Sequence, residues 1–151
     1  MTLPEEFKKE NINRIMIYHY VEELIGSYKS FMAEIYNDEE ITLVESSVLI
    51  RIKFLGKCNQ IDLVEIFHMS EGYVAKILKK FDDLNLIDRK EDSTNRRKKI
   101  VTLTQKGDEK AEKILKQMNM WEENVMASMN SHEREILKKS LFKIVIQTEK
   151  F

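Results

Sequence analysis

Proline occurs once in this chain, at Pro4, and glycine only at Gly26, Gly56, Gly72 and Gly107. These two residue types are the strongest interrupters of regular backbone, so most of the chain beyond Pro4 is free to run as helix. The apolar residues agree. Ile12, Ile15, Met16, His19, Tyr20, Leu24, Tyr28, Phe31, Met32 and Ile35 recur at three- and four-residue spacing, which predicts one amphipathic helix closed by Asn37, Asp38, Glu39 and Glu40.

Helix starts are legible next. Thr42 with Glu45 has the spacing of a capping box, in which each side chain satisfies a backbone N–H that the other leaves orphaned. Val44, Val48, Leu49, Ile52 and Leu55 then form a stripe for burial, stopped at Gly56. Asn59 can cap a short helix with Ile61, Leu63, Val64 and Phe67 inward. His68 and Met69 turn the chain, and Ser70 caps again. Beyond Ser70 the inward positions are Val74, Ile77, Leu78, Phe81 and Leu84, so Gly72, Lys76, Lys79 and Asp83 must face outward, with Tyr73 and Lys80 at the edge.

The helical pattern breaks once. Asn85 ends the last helix, and residues 86–91 and 98–103 read as two strands, the second carrying β-branched Ile100, Val101 and Thr102, joined by a polar loop. Thr104 then caps a long helix with Ala111, Ile114, Leu115, Met118, Trp121, Val125, Met126 and Met129 on one stripe. Asn130 with Glu133 opens a last helix that buries Ile136, Leu137, Leu141, Ile144 and Val145. The expected fold is mainly α with a small antiparallel β-hairpin: a winged helix-turn-helix between Thr42 and Leu103, with long N- and C-terminal helices.

Charge is uneven along that order. The chain has 25 Lys+Arg against 26 Asp+Glu, a net −1, which excludes a uniformly basic coat. From His68 to Lys99, however, nine cations meet six anions, so this strip is net +3 and the remainder −4. Three of the six arginines are Arg89, Arg96 and Arg97. A solvated surface hairpin is the plain explanation of such a run; a nucleic-acid contact is the functional one.

In a helix-turn-helix the second helix enters the major groove by its N-terminal residues, and the first crosses the backbone. Ser70 and the free N–H groups behind it suit a phosphate. Gly72 allows close approach, Tyr73 offers a hydroxyl and a ring, and Lys76, Lys79 and Lys80 can meet phosphates or guanine acceptors. Arg96 and Arg97 at the hairpin tip suit a minor groove or phosphate oxygens, and Asp92 either orients one guanidinium or only forms the turn.

Other chemistries have little support. At 151 residues and 42% hydrophobic content, the chain can bury a core without staples. Cys58 is the only cysteine, so no intrachain disulfide forms. His19, His68 and His132 lack metal-ligand spacing, and no cofactor motif appears. No glycine-rich phosphate loop or nucleophile–base order suggests an enzyme. No apolar run reaches membrane-span length and the start lacks a signal-peptide core, so a soluble cytoplasmic protein is expected.

The arrangement Leu63-Val64, Met69-Ser70-Glu71-Gly72-Tyr73-Val74, Asp92, Asn95-Arg96-Arg97 and Leu103-Thr104 followed by Gly107 resembles the MarR family of transcriptional regulators. The resemblance implies residues 1–40 and 105–151 as dimerisation helices around a DNA-binding domain at 41–104. It also implies a homodimer on a pseudo-palindromic operator in double-stranded DNA, acting as a repressor. Ser70, Gly72, Tyr73 and Lys76 fall on the recognition helix, Arg96 and Arg97 on the wing, and Asn59 and Gln60 against phosphates. Release by a small phenolic or amphipathic effector is a further implication, with Tyr18, Tyr20, Tyr28 and Trp121 as aromatic candidates or plain core. Glu71 and Val64 depart from the family pattern, and Cys58 lies outside the helix where thiol-sensing members carry theirs. The alternative function is a winged-helix protein-interaction module of a transcription or repair complex.

Overall fold

The computed structural model describes residues 4–5, 7–35, 40–91 and 99–149. In chain order they form a 3-10 turn (Lys9–Asn11), α1 (Ile17–Ile35), α2 (Leu43–Leu55), α3 (Gln60–Phe67), α4 (Glu71–Asp83), β1 (Ile87–Glu91), β2 (Lys99–Leu103), α5 (Gln105–Val125) and α6 (Ser131–Thr148). Two compact units divide this order, Met1–Gln117 and Met118–Phe151.

Local chemistry sets the helix starts. Thr42 and Glu45 form the expected reciprocal cap on α2, with Thr42 N donating to Glu45 Oε2 at 2.6 Å. Asn59 accepts from Ile61 N at 2.8 Å, and Asp62 returns the bond to Asn59 N at 2.8 Å, a second capping box on α3. Asn130 and Glu133 do the same for α6. Gly56 ends α2 at φ 69°, a backbone angle that a side chain would strain.

The core of the first unit is drawn from nearly every element around the turn. Val48, Leu49 and Ile52 of α2, Leu63 of α3, and Val74, Ile77, Leu78 and Phe81 of α4 are buried together with Leu86, Val101, Ala111 and Ile114. β1 and β2 pair antiparallel, Ile87 opposite Leu103 and Glu91 opposite Lys99. Cys58 adds a one-residue third strand, its N–H donating to Val101 O at 3.1 Å and its carbonyl accepting from Val101 N at 2.7 Å. This bridge holds the hairpin root against the start of α3.

α5 enters through a contact with no spare room. Thr104 Oγ1 accepts from Gly107 N at 3.0 Å, donates to Asn85 O at 2.7 Å, and so ties the new helix to the end of α4. Lys106 Nζ donates to Leu84 O at 2.9 Å. A Cβ on Gly107 would lie 1.9 Å from Leu86 O, so only glycine permits this approach.

The structure corrects several expectations. The first helix begins at Ile17, not near Ile12: Arg14 N bonds Asn11 O at 2.7 Å in a turn, where two asparagines lower helix propensity. Val44, Leu55 and Ile61 are exposed, while Ser46 and Ile50 are buried. α2 is covered from more than one side, so its buried face is wider than a single stripe and rotated from the expected one. Leu84 is only half-buried. In the second unit Leu137 is half-buried but Ile136, Leu141, Ile144 and Val145 of α6 are exposed, since nothing among the described residues of that unit covers them. Asn37, Asp38, Glu39 and the hairpin tip at residues 92–98 lie outside the described residues.

Gly107→Ala is expected to destabilise the protein by roughly 1–3 kcal/mol or more, the usual range for overpacking. Urea denaturation checks this, and wild-type stability in the variant would show that α5 retreats from Leu86 without cost.

Candidate nucleic-acid interface

α4 separates its faces cleanly. Val74, Ile77, Leu78 and Phe81 point into the core, and Glu71, Gly72, Tyr73, Lys76 and Lys79 point to solvent. Ser70 holds the N-terminus, its Oγ accepting from Tyr73 N at 3.3 Å. The first N–H groups of a helix have no intrahelical acceptor, so this end presents partial positive charge outward. Glu71, which looks unsuited to a phosphate-facing position, sits in the first turn, where a carboxylate stabilises the helix dipole.

Gly72 is informative because the fold does not require it. A Cβ there would meet nothing within 4 Å, and its φ is not positive. Packing and backbone angle therefore leave the glycine unexplained.

The turn before α4 is set by His68 in the left-handed region, φ 51° and ψ 37°. Gln60 Nε2 reaches across to donate to Glu71 O at 3.2 Å, joining the first turns of α3 and α4. Asn59 Oδ1 is committed to its cap, which leaves the amide N–H groups as its donors. Lys80 is placed differently from the other lysines. Its Nζ lies 2.7 Å from Glu45 Oε2, on a glutamate that is nearly buried. Desolvation pushes the Glu45 carboxyl up, but its bonds with Lys80 and Thr42 outweigh that and leave it below the usual carboxylate range.

Among the described residues Lys76 and Lys79 make no ion pair. Arg89 extends the same surface at the hairpin root. It shares a cleft with Asn59, Gln60, Leu78 and Lys99, and its buried Nε has no acceptor among the described residues. The signal for Arg89 was present in the arginine cluster, but its inward strand position was not. Arg96, Arg97 and Asp92 fall outside the described residues.

Cys58 is not available for surface chemistry. Burial first, then Asp62, push its thiol up to about 11, which leaves it protonated and unreactive at neutral pH. Among the described residues no three of His, Cys, Asp and Glu gather as a metal site, and no helix is long and apolar enough to cross a membrane.

A Ser-capped outward helix after a tight turn, followed by an antiparallel hairpin, defines a winged helix-turn-helix, a class built for double-stranded DNA. Residues 41–99 match the MarR family model. The HTH-type transcriptional regulator BilQ of Clostridium symbiosum (strain WAL-14163) is 29% identical over 105 residues, 68% of this chain and 70% of that protein. A crystal structure of MarR superposes with a TM-score of 0.79 at 24% identity, over 90% of this chain and 92% of that one. A mutant MarR from E. coli, complexed with operator DNA, gives 0.71 at 16% identity, over 87% and 95%. Over residues 41–99 the chain is similar to MarR-family transcriptional regulators, and its fold is that of the MarR structures.

Gly72→Ala is expected to raise stability by about 0.5–1 kcal/mol, because alanine costs less entropy in a helix. The same methyl should weaken binding of any duplex seated on the face. A thermal melt and a DNA titration on one preparation check both, and unchanged affinity would separate Gly72 from the interface.

Proposed function

We propose that the protein is a cytoplasmic repressor that binds a pseudo-palindromic operator as a homodimer. The observation that carries this is the unpaired outward face of α4, where Ser70, Gly72, Tyr73, Lys76 and Lys79 lie together and the fold itself has no use for the glycine. In this reading Tyr73 and Lys76 reach base edges, Lys79 and Gln60 meet phosphates, and Arg89 with Lys99 takes the backbone beside the hairpin root. Arg96 and Arg97 extend the contact into the neighbouring minor groove.

Two apolar surfaces support the dimer. α1 exposes Ile17, Val21, Leu24 and Ile25, and α6 exposes Leu141, Phe142 and Val145. Such stripes are costly to leave in water, and a second copy covering residues 1–40 and 105–151 removes them. For release we place a small amphipathic ligand in the cleft of about 500 Å³ lined by Phe7, Asn11, Arg14, Ile15, His19 and Glu22. That volume fits a small aromatic acid.

Selection of bound sequences from a random DNA pool is expected to return a palindrome with half-sites roughly one helical turn apart. No enrichment would move the protein to the other reading, an interaction module using the same face on protein.

Two variants test the parts. Lys76→Ala is expected to weaken the selected duplex by about 1–3 kcal/mol and to relax its preference over a scrambled duplex, as the loss of a base contact does. Arg96→Ala with Arg97→Ala should weaken binding while sedimentation still reports a dimer. Wild-type titration curves in either variant would remove that part from the mechanism.

A further inference from the structure

Lys80 lies in the last turn of α4, on the helix that faces DNA in the reading above, and it is directed away from that role. Seven residues make nearly two helical turns, so Lys80 and Tyr73 lie within about 20° of each other around the axis. A bond to Lys80 therefore reports, and fixes, the roll of the face that presents Tyr73 and Lys76.

The partner end of that bond is rigid. Glu45 is 9% exposed, and its carboxylate also accepts from Thr42 N at 2.6 Å within the cap of α2. Lys80 Nζ reaches it at 2.7 Å, so the two ends join the start of one core helix to the end of another. A roll of 20° at a side-chain radius of about 6 Å would move the ammonium by about 2 Å. Where the lysine stem does not take up that displacement, a nearly buried carboxylate is left without its cation, a costly state.

We infer that Lys80 is a positioning residue, pinning the roll of α4 through Glu45 and so aiming Tyr73 and Lys76, and that it makes no contact with DNA itself. The inference rests on the proposed DNA-binding role of α4.

Glu45→Gln separates the two possibilities. It keeps the shape and the bond from Thr42 but removes the charge that holds Lys80. The probes are the duplex recovered from the random pool and a scrambled duplex of the same length. If Lys80 positions, E45Q should weaken the selected duplex by roughly tenfold, the size of one lost base contact. Binding of the scrambled duplex and the salt slope on both should stay as in wild type. Simple destabilisation would instead lower both affinities together. If Lys80 is a contact held in reserve, freeing it should preserve or strengthen binding and steepen the slope by about 0.9. That result would overturn the inference, as would a lower slope in Lys80→Met on the scrambled duplex.

The double variant E45Q/K80M leaves no uncompensated buried charge and carries the same test if a single variant melts early. It should lose the ratio between selected and scrambled duplex, and a wild-type ratio would count against the pin. Should the wild-type protein bind neither duplex, the DNA-binding reading itself fails, which is a different result from an intact wild type with indifferent variants.

Discussion

The first turn of α5 closing on the carbonyls of Leu84, Asn85 and Leu86 is the contact on which the rest of the first unit depends. At that corner the recognition helix ends, the hairpin begins, and the long helix departs. Thr104 bonds Asn85 O, Lys106 bonds Leu84 O, and Gly107 lies against Leu86 O. Carbonyls that would be orphaned at a helix end are thereby met by one incoming turn. Asn85, at φ 55°, makes the reversal that presents them, a conformation asparagine tolerates better than most residues. The corner fixes where α4 stops, and Leu78 and Phe81 in the turns before it are fully buried.

A second set of ties sets direction. The Cys58–Val101 bridge holds the hairpin root to the entry of α3, and Gln60 links the starts of α3 and α4. Lys53 of α2 reaches Asp108 at 2.6 Å and Glu112 at 2.8 Å on α5. These pairs are partly exposed and contribute little stability each. Their geometry matters more, since every element bordering α4 is tied to another by at least one polar bond, while the outer face of α4 is left free.

Much of this was legible in the sequence because it is local. Capping needs only residues three apart, so Thr42 with Glu45 and Asn130 with Glu133 could be read directly. The inward face of α4 followed from spacing, as its neighbours cover one side only. α2 failed the same test: a helix packed on more than one side buries Ser46 and Ile50 as well, and no single stripe encodes that. Lys80 looked like its neighbours Lys76 and Lys79 because the partner that distinguishes it stands 35 positions away. Leu141 and Val145 of α6 carried a true apolar signal that the single chain does not use, since periodicity says which face is apolar but not what covers it.

Under the proposed function, the placement of Lys80 changes where attraction to DNA must come from. With its charge met by Glu45, the outward charges of α4 are Lys76 and Lys79 against Glu71, Asp82 and Asp83, a face without net positive charge. Counterion release depends on cations that reach phosphates, and α4 has few to offer. The hairpin has more: Arg89, Lys90 and Lys99 at its described strands, with Arg96, Arg97 and Lys98 between them in the sequence. In the proposed reading, affinity and selectivity are divided between two elements, the hairpin drawing the duplex in and α4 reading it through Tyr73 and Lys76 in a direct contact that needs shape and hydrogen bonding more than charge. An acidic residue in the first turn is tolerable on such a helix, where it would be costly on one that had to supply the attraction as well.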